Sequence, residues 1–346
     1  MIAAGGTAGH VVPALAVADE LRTDGSEVVF AGGARAEAEL VPAAGYELVG
    51  FDVQGLDRRN PLRALKAAFK ALGATARAWR LVGELEPDAV MGGGGYVAGP
   101  VGLAAVLRRR PLILTEADSH LGLTNRLLAP FARRVCLAFA IPGREPPRYA
   151  VTGRPIPPPA ADREAARAHF GVPGDRPLVV VVGGSLGARS INEAAVGAFA
   201  AADDIEVLHA AGNRDLPDLS RRPVGDHYRL MGYIDDFDQA LAAADLVVSR
   251  SGGSVFEIAA AGRPAVLVPY PYAAADHQAG NAAWMSDAGA AVVVSDDELD
   301  SARLASEVRE LLSDPDRLKA MGQASLGISR PGAARAVADE LRGAAA

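Results

Sequence analysis

Four short segments of this 346-residue chain combine glycine with small polar residues in a way suited to wrapping backbone around an anion. They are Gly5-Gly6-Thr7-Ala8-Gly9-His10, Gly92-Gly93-Gly94-Gly95-Tyr96, Gly183-Gly184-Ser185-Leu186-Gly187 and Arg250-Ser251-Gly252-Gly253-Ser254. Each follows an apolar run and opens a helical stretch. Glycine lets main-chain amides approach an oxyanion closely, and the helix N-terminus behind the loop adds a favourable dipole. A diphosphate needs donors of this kind. A single loop of this type is more simply a tight strand-to-helix turn; four in equivalent positions point to phosphate or sugar binding. None combines Gly-x-Gly-x-x-Gly with an acid about 20 residues later, as a dehydrogenase would. None ends in the Gly-Lys-Ser/Thr of a nucleoside triphosphatase.

The elements that must hold these loops alternate between short β-rich runs and helical stretches, the pattern of a parallel α/β fold. Strands are predicted at 27–31, 89–91, 112–114 and 135–138, then at 178–182, 205–209, 246–249, 265–268 and 291–294. Helices are predicted at 13–22, 62–84, 100–107 and 123–131 in the first half. The stretch 142–159 is rich in Pro, Arg and Gly and ends in Pro157-Pro158-Pro159, a stiff, extended tract suited to a domain boundary. We expect two doubly wound, Rossmann-like domains, 1–152 and 153–330, with a C-terminal helix over 331–346 that could pack back on the first. In such folds ligands sit beyond the carboxyl ends of the strands, so the glycine loops should converge on a cleft. The first strand, within Met1–Ala4, is short for a central strand; either it is short or the start lies a few codons upstream.

Composition narrows the classes. Half the residues are hydrophobic, which excludes a disordered chain, and the formal charge of −7 offers no general attraction to nucleic acid. A lone cysteine, Cys136, permits neither an intrachain disulfide nor a four-cysteine zinc site and fits a reducing compartment. No uncharged run approaches the ~18 residues of a spanning helix. A cytoplasmic protein, peripheral to a membrane, is expected.

Taken in order, the motifs resemble those of the peptidoglycan N-acetylglucosaminyltransferases, the MurG family. The resemblance rests on Gly5 through Leu15, Gly94-Gly95-Tyr96-Val97-Ala98-Gly99-Pro100 and Gly122-Leu123-Thr124-Asn125. It continues through Gly183 to Arg189 with Asn192, Tyr233-Ile234-Asp235-Asp236, Arg250-Ser251-Gly252, Glu257 through Pro264, Val268 through Pro271, and Asp276-His277-Gln278 with Asn281. It implies a GT-B fold and inverting transfer of N-acetylglucosamine from UDP-GlcNAc to the C4 hydroxyl of the muramic acid unit of lipid I, giving lipid II. The resemblance places the diphosphate at Gly184 and Ser185, the uracil at Ile234, the ribose at Glu257 and the sugar at Gln278. It sets Thr7, Ala8, Gly9, His10 and Tyr96 toward the acceptor and the transferring sugar. Thr115-Glu116-Ala117-Asp118 departs from the family's His-Glu-Gln-Asn, so that Asp118 stands where an amide would contact the sugar. Leu186 replaces a glutamine, and Gly153-Arg154-Pro155-Ile156-Pro157 replaces Gly-Asn-Pro-x-Arg.

Such a reaction needs a base for the acceptor hydroxyl and relief of charge on the departing UDP. His10, at a helix N-terminus whose dipole disfavours imidazolium, is the candidate base, against the alternative of a helix-capping histidine. Amides at Gly184–Ser185 and the helix near Gly252 would meet the leaving charge, with Arg154 and Arg250 as candidate cationic helpers. A carboxylate at Glu257 can accept hydrogen bonds from both ribose hydroxyls. The acidic pairs Asp236/Asp238 and Asp314/Asp316 read as helix caps rather than metal ligands, so no protein-held metal is expected. Seven Lys/Arg and no acid lie between Arg58 and Arg80, and Arg63, Lys66 and Lys70 flank the apolar stripe of Leu65, Phe69, Leu72 and Trp79. This suits an anionic membrane surface as well as a helix packed on its own sheet. Alternatives are a related transferase acting on another lipid or natural-product acceptor, a UDP-GlcNAc 2-epimerase, and a non-catalytic nucleotide-sugar binder.

Overall fold

The computed structural model describes residues 1–50, 73–184, 186–273 and 276–346, and the backbone of 61–72 as part of a helix. The chain divides into two compact units, Met1–Pro157 with Arg330–Ala346, and Pro158–Ser329.

The first unit has a seven-stranded parallel sheet: β1 (Ile2–Ala3), β2 (Val29–Gly32), β3 (Glu47–Gly50), β4 (Val90–Gly92), β5 (Leu112–Glu116), β6 (Arg134–Leu137) and β7 (Tyr149–Val151). Their spatial order is β3-β2-β1-β4-β5-β6-β7. Successive side chains of a strand point to opposite faces, and the core divides accordingly. Ile2, Phe30, Met91, Ile113 and Cys136 face one side, where α1 (Ala8–Arg22) and the C-terminal helix α14 (Ala333–Ala345) pack. Ala3, Ala31, Val90, Leu112, Leu114 and Val135 face the other, under α3 (Pro61–Leu85) and α4 (Gly95–Leu107). The helix α2 (Ala36–Ala43) links β2 to β3, and α5 (Leu123–Leu128) links β5 to β6.

The second unit repeats the plan. Strands β8 (Leu178–Val182), β9 (Glu206–Ala210), β10 (Tyr228–Met231), β11 (Leu246–Ser249), β12 (Ala265–Leu267) and β13 (Ala291–Val293) lie in the order β10-β9-β8-β11-β12-β13, all parallel. The β8 run Leu-Val-Val-Val-Val is wholly buried, as a strand covered on both faces must be. Around it lie α6 (Arg163–His169), α7 (Arg189–Phe199), α8 (Leu216–Leu219), α9 (Phe237–Ala243), α10 (Val255–Ala260), α11 (His277–Asp287), α12 (Ser301–Leu312) and α13 (Pro315–Ile328).

In both units the direction of winding reverses beside the first strand, between β1 and β4 and between β8 and β11. The crevice beyond the carboxyl ends at such a switch point is where open α/β sheets bind ligands. All four glycine loops follow these four strands.

Several sequence expectations are corrected. The stretch 142–159 is not all linker, because Tyr149–Val151 pairs in register with β6 as the edge strand β7. Gly153 to Pro157 belongs to the first unit, so the division falls between Pro157 and Pro158 instead of after Thr152. The helices expected to start at Pro13 and Pro100 start at Ala8 and Gly95, with each proline as the sixth residue inside. The edge strands β3 and β10 have no counterpart among the expected strands, being short and only partly buried.

Candidate functional site

The loops after β1 and β4 pack directly on each other. A Cβ at Gly95 would sit 1.8 Å from the carbonyl oxygen of Gly5, and Gly95 has φ +75°, so glycine is required on both counts. The His10 ring lies on the same loop, with its Cδ2 2.6 Å from where a Gly94 Cβ would be. His10 is the third residue of α1, half-buried, and its Nδ1 is 3.3 Å from Thr7 Oγ1. Thr7 stands at the N-cap but makes no side-chain cap bond. An Nδ1–H donated to Thr7 leaves Nε2 as the open lone pair. Burial lowers the His10 pKa, the Arg154 charge lowers it further, and the charges of Asp118 and Glu37 oppose this less strongly. The ring is therefore held neutral and able to accept a proton.

Two buried carboxylates shape the surrounding loops. Glu37, on α2 and fully buried, accepts hydrogen bonds from the Gly6 amide at 2.8 Å, the Gly33 amide at 3.0 Å and the Tyr96 hydroxyl at 2.5 Å. Burial pushes its carboxyl up, but these donors outweigh burial and hold it below the ordinary value. Tyr96 is correspondingly raised to about 12, by burial first and by its bond to Glu37 second. The expectation that Tyr96 faces a substrate is thus revised at its hydroxyl, which is turned into the loop base. Sequence reading missed Glu37, since an acid in the first turn of a helix is favoured by the dipole anyway. Glu116 accepts from the amides of Asp118 (3.2 Å) and Gly122 (2.8 Å) and from Asn125 Nδ2 (2.9 Å). Asn125 also donates to the Thr115 carbonyl at 2.9 Å. Burial raises the Glu116 carboxyl despite these bonds. Glu116 thereby folds the loop that presents Asp118. Arg154, read from sequence as part of the second domain, lies in the first unit and donates to the Gly9 carbonyl.

In the second unit the loop after β8 turns through a Gly187 amide to Gly184 carbonyl bond of 2.9 Å. Gly187 has φ +73°, and its Cβ would sit 2.0 Å from the Ala211 carbonyl oxygen. Ser185, the expected diphosphate contact, lies outside the described residues. Arg250 is buried and committed: it donates to the carbonyls of Val268 and Pro269, both at 3.1 Å, and to Ser190 Oγ at 2.9 Å, and it pairs with Asp296 at 2.6 Å. It clamps the start of α7 across the switch point, so its guanidinium is turned into the protein and not toward a leaving group. Ser190, which also donates to Asp296 at 2.6 Å, and Asp296 were not singled out from sequence. Gly252 opens toward Gln278, whose Nε2 would be 3.9 Å from a Cβ there. Gln278 is fixed by the Tyr270 amide, 3.0 Å from its Oε1, and by Ser251 Oγ, 2.7 Å from its carbonyl. Glu257 is half-buried on α10, and its charge reaches Tyr233. The structure therefore brings Glu257 close to the loop carrying Ile234, although the Ile234 side chain is itself only 5% exposed.

Asp314 caps α13 by accepting from the Arg317 amide at 2.9 Å. Asp236 stands at the N-cap of α9 without a cap bond and pairs with His169 at 3.1 Å. The side chains of Arg63, Leu65, Lys66, Phe69, Lys70 and Leu72 lie outside the described residues. Within the described part of α3, Ala74, Ala78 and Val82 form the buried stripe, and Trp79 is exposed beneath Arg108, whose Cζ is 3.4 Å from the indole centroid. Leu103 and Leu107 on α4, and Leu123, Leu127 and Phe131 on and after the neighbouring α5, are also exposed. Among the described residues no helix is long and apolar enough to cross a membrane.

Residues 1–137 match the glycosyltransferase family 28 N-terminal domain and residues 178–339 its C-terminal domain. A UDP-N-acetylglucosamine–N-acetylmuramyl-(pentapeptide) pyrophosphoryl-undecaprenol N-acetylglucosamine transferase of Moorella thermoacetica is 44% identical over 97% of this chain and 96% of its own. The protein of the same name from Salinibacter ruber is 42% identical over 99% and 95%. The crystal structure of Acinetobacter baumannii MurG superposes with a TM-score of 0.76 at 32% identity, covering 99% of this chain and 98% of that one. A UDP-GlcNAc 2-epimerase from Neisseria meningitidis, 13% identical over 99% of both chains at a TM-score of 0.68, shares the fold alone. The fold class is GT-B, and the chain belongs to glycosyltransferase family 28 and, within it, to the MurG family of UDP-N-acetylglucosamine–N-acetylmuramyl-(pentapeptide) pyrophosphoryl-undecaprenol N-acetylglucosamine transferases.

Proposed function

We propose that this chain is a hexosyltransferase that moves N-acetylglucosamine from UDP-GlcNAc to the C4 hydroxyl of the muramic acid unit of lipid I, with inversion, forming lipid II. The observation that carries this reading is likeness to MurG relatives over nearly the whole chain, at 42–44% identity. The arrangement at the two switch points supports it. The acceptor oxygen attacks the anomeric carbon, the bond to the diphosphate oxygen breaks, and the acceptor proton passes to His10 Nε2. Thr7 holds the ring from its Nδ1 side, and the amides of Ala8 and Gly9 open α1 beside it. Charge on the departing UDP is met by the turn at Gly184 and Ser185 and by the helix after Gly252. Glu257 takes the ribose hydroxyls, the Ile234 segment the uracil, and Gln278 the sugar. Asp118 addresses the transferring sugar from the loop that Glu116 folds. On this reading Arg250 supports the turn from below, and no protein-held metal takes part; Asp314 is engaged as a cap and Asp236 with His169.

We place the protein at the cytoplasmic face of the membrane, where a lipid-linked acceptor resides. Exposed Trp79, Leu103, Leu107, Leu127 and Phe131 with nearby arginines support this. Reversing the charges of Arg63, Lys66 and Lys70 should reduce co-sedimentation with anionic liposomes.

The deciding experiment is mass spectrometry of products formed from UDP-GlcNAc and a short-chain lipid I analogue, with diacylglycerol as the competing acceptor. A disaccharide on the lipid I analogue is the expected product. Sugar on diacylglycerol would favour the related-transferase alternative, for which the Thr115–Asp118 departure speaks, and free sugar and UDP without acceptor would favour an epimerase. His10→Ala should keep the fold and UDP binding and lose most turnover, by a factor of about 10² to 10⁴; near-full activity removes His10 as base.

A further inference from the structure

Pro13 has no N–H to give to the carbonyl four residues before it, which is that of Gly9. A helix interior normally leaves no such carbonyl open. Here it is taken by Arg154, whose Nη2 reaches the Gly9 oxygen at 2.5 Å from 145 residues along the chain. The guanidinium lies against the first turn of α1, 3.7 Å from where a Gly9 Cβ would be, beside His10. Among the described residues, three charges act on the imidazole: Arg154 after β7, Asp118 after β5 and Glu37 on α2. The two carboxylates favour imidazolium. Glu37 is already occupied by three donors, whereas Arg154 is anchored in the helix turn that carries the histidine itself.

We infer that Arg154 is a positioning residue: seated on the carbonyl that Pro13 leaves open, its fixed cation adds to burial in keeping the His10 imidazole unprotonated. The charge coupling stands apart from the reading of His10 as base; only its effect on turnover rests on that reading. It differs from the role of a cation contacting the leaving diphosphate, which would act on the donor and leave the histidine unchanged.

The test is an NMR titration of ring-labelled histidines in the full-length protein without substrate, comparing wild type, Arg154→Gln and Arg154→Lys, with folding followed by circular dichroism. The His10 midpoint should rise in Arg154→Gln, which removes the charge, and stay near wild type in Arg154→Lys, which keeps it. An unmoved midpoint in Arg154→Gln overturns the proposal, and a tenfold loss of UDP affinity beside it would assign the arginine to the diphosphate. Should Arg154→Gln not fold, Pro13→Ala replaces it. The restored N–H then competes for the Gly9 carbonyl, the midpoint should rise with Arg154 intact, and no rise overturns the seat. The acidic limb of kcat/KM, measured alongside, reports separately on His10: a shifted titration with an unshifted limb removes the base assignment and leaves the charge coupling standing.

Discussion

At the scale of single residues, the first unit depends on a carboxylate that touches no candidate substrate group. Glu37 joins the loop after β1, the loop after β2 and the start of α4 through three donors, so a neutral side chain of the same shape cannot replace it. In Glu37→Gln an amide N–H₂ would face the N–H of Gly6 or Gly33, and each unpaired buried donor costs about 1–3 kcal/mol. We expect that loss in the unfolding free energy of the first unit, measured by urea denaturation. The Tyr96 phenol, now held up at about 12 by burial and Glu37, should titrate lower by ultraviolet absorbance. An unchanged phenol titration would mean that the Glu37–Tyr96 bond is not made in solution.

At the scale of elements, a buried polar chain ties β9 and β10 to α7. His209 Nδ1 lies 2.7 Å from Tyr228 Oη, and its Nε2 lies 3.0 Å from Asn192 Oδ1. Asn192 Nδ2 in turn donates to the Ala211 carbonyl at 2.8 Å and to Asp215 at 3.0 Å. That carbonyl is the one against which Gly187 packs, so the network supports the turn after β8. Burial pushes His209 down to about 4. An unfolded histidine titrates near 6.5, so between about pH 6.5 and about pH 4 the unfolded chain binds a proton that the native chain refuses. Stability contributed by neutral His209 is therefore complete above about pH 6.5 and is lost as pH falls, by about 3 kcal/mol in all. Denaturation midpoints across this range should slope less in His209→Gln than in wild type; equal slopes would clear His209 of this role.

At the scale of the whole molecule, the last helix belongs to the first unit. Val337, Ala338 and Leu341 of α14 lie in the same core as Ile2, Val17 and Phe30. Arg134 pairs with Glu340 at 2.8 Å, and Arg342 bonds Asp24 and the Glu20 carbonyl. Leu341→Ala should cost about 2–4 kcal/mol, as deletions in packed cores do. The loss should appear in the first unit, although the residue follows the whole second unit in sequence. Hydrogen exchange that weakened in Pro158–Ser329 and not in Met1–Pro157 would contradict this assignment.

What the sequence by itself determined is local. The runs at 178–182 and 246–249 are strands at the expected residues, because consecutive buried β-branched and aliphatic side chains leave few other solutions. The glycine loops could be placed at strand ends because φ and close approach are properties of a few adjacent residues. Tertiary structure alone decided which buried charges serve the loops. Glu37 and Arg250 act on partners supplied by distant segments, and no spacing in the chain encodes a hydrogen bond to a group brought near by the sheet. Tertiary structure also decided that Arg154 sits with His10, since a proline's missing N–H is legible in sequence but the donor that replaces it, 145 residues away, is chosen only when the chain folds.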